Sequence, residues 1–213
     1  MNQKSEIMKS SGSPFGGGGV VVIINYGAGN IQSIKFAIKR LGHKAILSND
    51  VNEIQRADKV IFPGVGEASS AMNKLKASGL SHIIPDLKQP VLGICLGMQL
   101  MCNSSEEGVT SGLGIFDVDV IKFSNTVKVP QIGWNQISNL KSTLFKNVNE
   151  KEHIYMVHSF YAPLCKETIA ESDYEIQYSA ALKKDNFYGT QFHPEKSSGV
   201  GEQILKNFLS MKS

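Results

Sequence analysis

Gly93-Ile94-Cys95-Leu96-Gly97-Met98-Gln99 is the stretch on which the reading of this chain turns. Ahead of it, Pro90 leads into Val91-Leu92-Gly93-Ile94, an apolar run suited to a strand buried on both faces. Behind it, Met98, Leu100 and Met101 continue as a short apolar stretch of helical character. A cysteine between two glycines at a strand-to-helix junction has the outline of a nucleophile elbow, with sulfur in place of the usual serine oxygen. So sharp a turn needs backbone freedom and no side chains crowding the nucleophile. A helix starting just after Cys95 aims its free N–H groups at the sulfur. That favours thiolate, and an acyl oxyanion nearby can use the same donors.

Cysteine is also a small hydrophobe at home in cores, so the elbow gains chemical meaning only with a base. Gln191-Phe192-His193-Pro194-Glu195, near the C-terminus, supplies one. An imidazole followed two residues later by a carboxylate, with proline stiffening the link, offers a base and the group that orients it.

These two motifs resemble the class I, triad-type glutamine amidotransferases. Pro63-Gly64-Val65-Gly66, Lys128-Val129-Pro130, Gly133-Trp134-Asn135 and Val157-His158-Ser159-Phe160 narrow the resemblance to the glutaminase subunits of imidazole glycerol phosphate synthases, from histidine biosynthesis. The likeness runs from about Val20 to Leu209. It implies an α/β fold whose central, mostly parallel sheet is flanked by helices, with antiparallel strands in the C-terminal half. It implies a triad of Cys95, His193 and Glu195 acting on L-glutamine, with no cofactor and no metal. Backbone groups at Gly64, Val65 and Leu96 would form the oxyanion hole, and Gly66, Gln99, His158, Ser159 and Phe160 would hold the substrate. Tyr26, Asn30, Gln131, Trp134 and Asn135 would face a partner, the cyclase subunit, a β/α barrel. That partner uses the ammonia to make imidazole glycerol phosphate and an aminoimidazole carboxamide ribotide. Family members commonly carry aspartate at the place of Asn25 and histidine at that of Gln131.

The bulk properties agree with such an enzyme. A chain of 213 residues, 41% of them hydrophobic, reads as one soluble domain with a sizeable core. A net charge of +3 is too small to argue for nucleic acid or an anionic membrane. Three cysteines (Cys95, Cys102 and Cys165) without zinc spacing suggest reduced thiols in the cytoplasm. The longest apolar runs, such as Gly19 to Ile24, are far too short to span a bilayer.

Residues 1–19, rich in serine and glycine, read as a disordered tail or leader, with the amidotransferase domain over residues 20–213. Val20 to Ile24 reads as a central parallel strand, followed by a glycine-rich loop. A helix follows from Ile31 to Leu41, where Ile31, Ile34, Ile38 and Leu41 keep helical spacing. That loop lacks the third glycine and acidic ribose ligand of a dinucleotide site. Short strands at Ala45–Leu47 and Val60–Phe62 follow, then helices over about Glu67–Ala77 and Leu80–Leu87. This order argues for right-handed crossovers and a site at the carboxyl ends of the strands. Later strands are expected at Val118–Lys122, Ile132–Ile137, His153–His158, Ser179–Lys184 and Phe187–Gln191, with a hairpin turn at Lys183–Asn186 and a closing helix from Ser198.

Pro63-Gly64-Val65-Gly66 reads as an oxyanion loop in which glycines flanking Val65 ease reorientation of the Gly64–Val65 peptide. An isolated chain with that loop turned away would hydrolyse glutamine slowly. Gln99, four residues beyond Cys95, projects to the nucleophile's side of a helix. Trp134, the only tryptophan, suits either core or interface, and the interface is the expectation. Two other functions fit the motifs: a glutaminase feeding another synthase, such as a nucleotide-sugar amidating enzyme, and a catalytically inactive binding subunit.

Overall fold

The computed structural model describes residues 19–27 and 29–212. The predicted leader, Gly19 apart, and Ala28 of the first loop lie outside the described residues.

In chain order the elements are β1 (Val21–Ile24), α1 (Ile31–Arg40), β2 (Ala45–Ser48), α2 (Val51–Arg56), β3 (Lys59–Phe62), α3 (Ala68–Ala77) and α4 (Leu80–Ile83). Then come β4 (Val91–Ile94), α5 (Leu96–Leu100), β5 (Cys102–Ser105), β6 (Thr110–Ser111), β7 (Phe116–Lys122), β8 (Gln131–Gln136) and β9 (His153–His158). The chain closes with β10 (Phe160–Tyr161), β11 (Thr168–Tyr174), β12 (Ile176–Lys184), β13 (Phe187–Thr190) and α6 (Ser198–Leu209).

Seven strands form the main sheet in the order β11-β12-β13-β4-β3-β1-β2. The five from β13 to β2 are parallel, and β12 and β11 extend them antiparallel. β1 explains why a parallel core suits this sequence: all four of its residues are buried, Val21 and Ile23 on one face and Val22 and Ile24 on the other. One face packs on α1 and α6, through Ile34, Ile38, Ile204 and Phe208; the other on α3 and α5, through Leu75, Leu96 and Met98. The apolar stripe of α6 is as expected, with Ile204, Leu205, Phe208 and Leu209 all buried.

Three details depart from the sequence reading. Helix α2 has no counterpart in it, although Asp50 caps the helix by accepting from the Glu53 N–H at 2.9 Å, and Asp-x-x-Glu is a legible start signal. The helix read over Leu80–Leu87 splits at Pro85 into α4 and a 3₁₀ turn at Ile84–Asp86, because proline removes an N–H that a helix interior needs. The second half is not uniformly antiparallel. β12 and β13 form the expected hairpin around Asp185 (φ 52°), but β13 then lies parallel to β4, with Thr190 opposite Ile94. A separate ribbon, β8–β9, and a small sheet, β10-β7-β5-β6, complete the fold, and β9 brings Val157 and His158 to the cavity that Cys95 lines. Among the described residues no helix is long and apolar enough to cross a membrane.

Candidate active site

Cys95 sits between β4 and α5 with φ 53° and ψ −112°, a backbone state that costs a non-glycine residue about 1–3 kcal/mol. The surroundings hold it there. Its N–H donates to Thr190 O at 2.7 Å, and its C=O accepts from the Gln99 N–H at 3.1 Å. The neighbouring glycines are required by contact. A Cβ on Gly97 would fall 2.0 Å from Phe62 O, and one on Gly93 would fall 2.8 Å from Met98 N. The elbow is wedged against the end of β3.

This corrects the expectation for the oxyanion loop. A Cβ on Gly64 would lie 2.5 Å from Gly97 N, so Gly64 is glycine for close approach to the elbow, not for freedom. Gly66, at φ 96° and with no atom within 4 Å of where a Cβ would stand, is where the backbone has latitude. Tyr26 braces the same loop. Its hydroxyl donates to Pro63 O at 2.8 Å and its ring stands edge-on to Phe62. At 6% exposure it is not the partner contact expected of it.

His193 enters from the far side, on the turn that follows β13. Its N–H donates to Tyr155 O (3.1 Å), its C=O accepts from Ser197 Oγ (2.7 Å), and that hydroxyl also accepts from the Tyr155 N–H (3.0 Å). Nδ1 meets Glu195 Oε1 at 2.8 Å, both side chains buried. Burial works against a charged imidazole, but hydrogen bonds to the Cys95 side chain and to Glu195 outweigh it and hold His193 up at about 10. Those two partners therefore favour the protonated ring.

His158, in the same cavity, is shifted the other way. Burial lowers it to about 4, against a bond to Phe160 O (2.8 Å) and with the nearby His193 charge adding to the fall. It is neutral, donates from Nδ1 to that carbonyl, and holds the strand turn at Ser159. Gln99 is buried, not solvated. Its Nε2 donates to Phe160 O and to Gln191 Oε1, each at 2.9 Å, while Gln191 Nε2 lies 3.8 Å from Cys95 Sγ.

The cavity so formed measures about 320 Å³ and suits a ligand of amino-acid size. Val65, Gly66, Cys95, Leu96, Gln99, His158, Ser159, Phe160 and His193 line it, so the structure gathers most of the predicted residues into one space. It adds Glu107, Pro130, Val157 and Lys196. Lys196 directly follows Glu195, and its Nζ lies over the Tyr155 ring, 5.7 Å from its centre. Pro130, Val157 and Gln191 belong to motifs already quoted, and Lys196 is the residue after one of them; nothing local in the sequence marks Glu107.

The expected partner residues divide. Trp134 is 52% exposed and Ile132 62%, so the core reading of the tryptophan fails. Gln131 is 4% exposed and accepts from the Tyr178 hydroxyl at 3.0 Å; it faces inward because residues alternate sides along β8. Asn135 spends its amide on Asp173 O (2.7 Å), and Asn30, half-buried at the start of α1, accepts from Ser33 Oγ (3.1 Å). Asn25 accepts from the Gly27 N–H at 3.4 Å and donates its own N–H to Ser48 O. Cys102 takes no part: it is fully buried, burial pushes its thiol up, and it donates to Met98 O at 3.6 Å.

An elbow cysteine, an imidazole and a carboxylate on this sheet define a class, and the sequence comparison agrees: the chain belongs to the class-I glutamine amidotransferase family, whose model matches residues 22–211. Named relatives are more particular. The chain is 56% identical over 194 residues to the imidazole glycerol phosphate synthase subunit HisH of Bacteroides thetaiotaomicron, covering 90% of this chain and 99% of that one. It is 57% identical to the same subunit of Bacteroides fragilis, again over 90% and 99%. Against that of Yersinia pestis it is 44% identical over 195 residues, at the same coverage. Two solved structures share the fold: a glutamine amidotransferase (TM-score 0.70, 16% identity, 88% of this chain and 96% of that one) and PurLQS from Thermotoga maritima (0.69, 14%, 90% and 98%).

Proposed function

We propose that this chain is the glutaminase subunit of an imidazole glycerol phosphate synthase, releasing ammonia from L-glutamine for a cyclase partner in histidine biosynthesis. The observation that carries the reading is the buried elbow cysteine sharing its cavity with His193, whose ring Glu195 holds at 2.8 Å. Cys95 sulfur attacks the side-chain carboxamide carbon while its proton rests on His193. The carbonyl electron pair moves onto oxygen, facing the N–H groups of Leu96 and Val65. As the C–N bond breaks, His193 returns the proton to the departing nitrogen, leaving ammonia and a γ-glutamyl thioester. Water, deprotonated by His193, then cleaves the thioester to glutamate and restores the thiol. Glu107, on the cavity wall, supplies a negative charge for the substrate's α-ammonium group.

Ammonia set free in water becomes ammonium, which is not a nucleophile, so the chemistry calls for an acceptor docked at the site. Trp134 and Ile132, exposed side by side on β8, form the apolar anchor of that docking surface. The test uses the complex with its cyclase. Cys95→Ser should lower glutamine-dependent product formation by on the order of 10⁴-fold or more, while product formation from added ammonium at raised pH persists. Loss of both activities would make Cys95 structural and overturn the proposal.

A further inference from the structure

Helix α3 begins at Ala68, and Glu67, at its N-cap position, makes no capping bond. The Glu67 carboxylate takes the Ser69 hydroxyl instead, at 2.6 Å. The first N–H of the helix is satisfied from 39 residues away: Glu107 Oε2 accepts from the Ala68 N–H at 2.9 Å. Glu107 is itself held in place. Its N–H donates to Ser105 Oγ (3.2 Å), and its C=O accepts from Thr110 Oγ1 (2.7 Å). Beside it, Gly108 (φ 64°) lies so close to α3 that a Cβ would fall 2.6 Å from Glu67 Oε1 and 2.7 Å from Ser69. The turn between β5 and β6 is thus fitted onto the first turn of α3.

That first turn directly follows Val65 and Gly66, the segment that would present an oxyanion donor. Glu107 also lines the cavity shared by Val65 and Cys95, and its Oε1 has no hydrogen-bond partner among the described residues. One carboxylate therefore has an oxygen on the helix start and an oxygen to spare for a ligand. Backbone donors help an oxyanion only if they stand in position before the charge forms. A helix whose first N–H has no acceptor frays at that end, and the loop ahead of it loses its anchor.

We propose that Glu107 is a positioning residue for the oxyanion loop as well as a contact for the substrate's α-ammonium. The carboxylate ties bound glutamine to the first turn of α3 and so sets where the Val65 N–H stands. This rests on the glutaminase reading above and adds a coupling to it.

Three variants assayed for glutamine hydrolysis in the complex with the cyclase separate the two roles. Glu107→Ala removes both; kcat should fall on the order of 10–100-fold, as a displacement near 1 Å at a reacting site can cost, and KM should rise. Glu107→Gln keeps an oxygen that can accept the Ala68 N–H but loses the charge. Its kcat should return most of the way to wild type while KM stays raised. Ala68→Pro deletes the N–H alone, at a first helical position where proline is accommodated, behind a residue already extended (Glu67 φ −94°, ψ 138°). Its kcat should fall with KM near wild type. If both Glu107 variants raise KM alike with kcat unchanged, Glu107 is a substrate contact only and the coupling is wrong. Thermal melting accompanies each assay; should either Glu107→Ala or Ala68→Pro not fold, the remaining variant and Glu107→Gln still give opposite patterns under the two accounts. A wild-type complex that hydrolyses no glutamine would overturn the glutaminase reading itself, a result distinct from active variants that differ in KM alone.

Discussion

Strands β4 and β8 are put to opposite uses. β4 lies between β3 and β13, bonded on both edges, and none of its four residues reaches solvent. β8 has one partner, β9, and alternates between an inward face starting at Gln131 and an outward face carrying Ile132 and Trp134. A strand packed on every side fixes the next atom along the chain, so Cys95 can be held in a strained state and wedged against Phe62. A strand half in solvent fixes little geometry but leaves apolar area for a partner to cover. Under the proposed function, chemistry sits on the first kind of support and association on the second.

The contrast can be broken at either strand. Gly97→Ala strikes the packed one, because the new methyl would meet Phe62 O at 2.0 Å. We expect about 2–3 kcal/mol of lost stability, or roughly 5–10 °C in Tm, and a fall in glutaminase activity of about 100-fold as the elbow shifts. A Tm and kcat close to wild type would mean the wedge does not set the elbow. Trp134→Ala strikes the open strand. The isolated chain should melt within about 0.5 kcal/mol of wild type, while affinity for the cyclase drops by ~30–1000-fold in a titration. An unfolded variant would return Trp134 to the core.

The two cavity histidines sharpen the comparison through pH. His158 titrates near 4 when folded, below the ordinary 6.5, so the unfolded chain binds that proton first. Its contribution to stability is complete above pH 6.5 and is lost as pH falls through 4, by a few kcal/mol at most. His193, raised to about 10, contributes fully below pH 6.5 and loses its contribution as pH rises through 10. Denaturant melts of His158→Asn between pH 4 and 10 should show a shallower acid loss than wild type and an unchanged alkaline limb. Parallel profiles would mean that another group carries the acid sensitivity.

The elbow was legible because its signal is local: an apolar run, a tight Gly-Cys-Gly turn and a second apolar run lie within a dozen residues. His193 and Glu195 were legible for the same reason. Where a side chain points depends on register, which needs the partner strand. Even so, alternation along β8 puts Gln131 and Asn135 on the face opposite Trp134, so the three do not share one surface. Tyr26 could not be placed from its own loop, since what buries it is Pro63 and Phe62 on another strand. Gly64 and Gly66 looked alike in sequence, yet one is shaped by the elbow pressed against it and the other by its backbone angle. Glu107 was beyond reach, because its hydrogen-bond partner is 39 residues away.

We propose that Cys95, His193 and Glu195 form a complete triad and that the loop through Val65 and Gly66 takes its working position only with the partner bound. Steady-state glutamate release from glutamine tests it directly, measured for the chain alone, for its complex with the cyclase, and for that complex with the cyclase's phosphorylated ligand. The account predicts slow release by the isolated chain and a rise of at least about 100-fold in the liganded complex, the effect of gaining one oxyanion donor. Equal rates in all three would contradict it, and would describe a constitutive glutaminase whose oxyanion hole is formed without help.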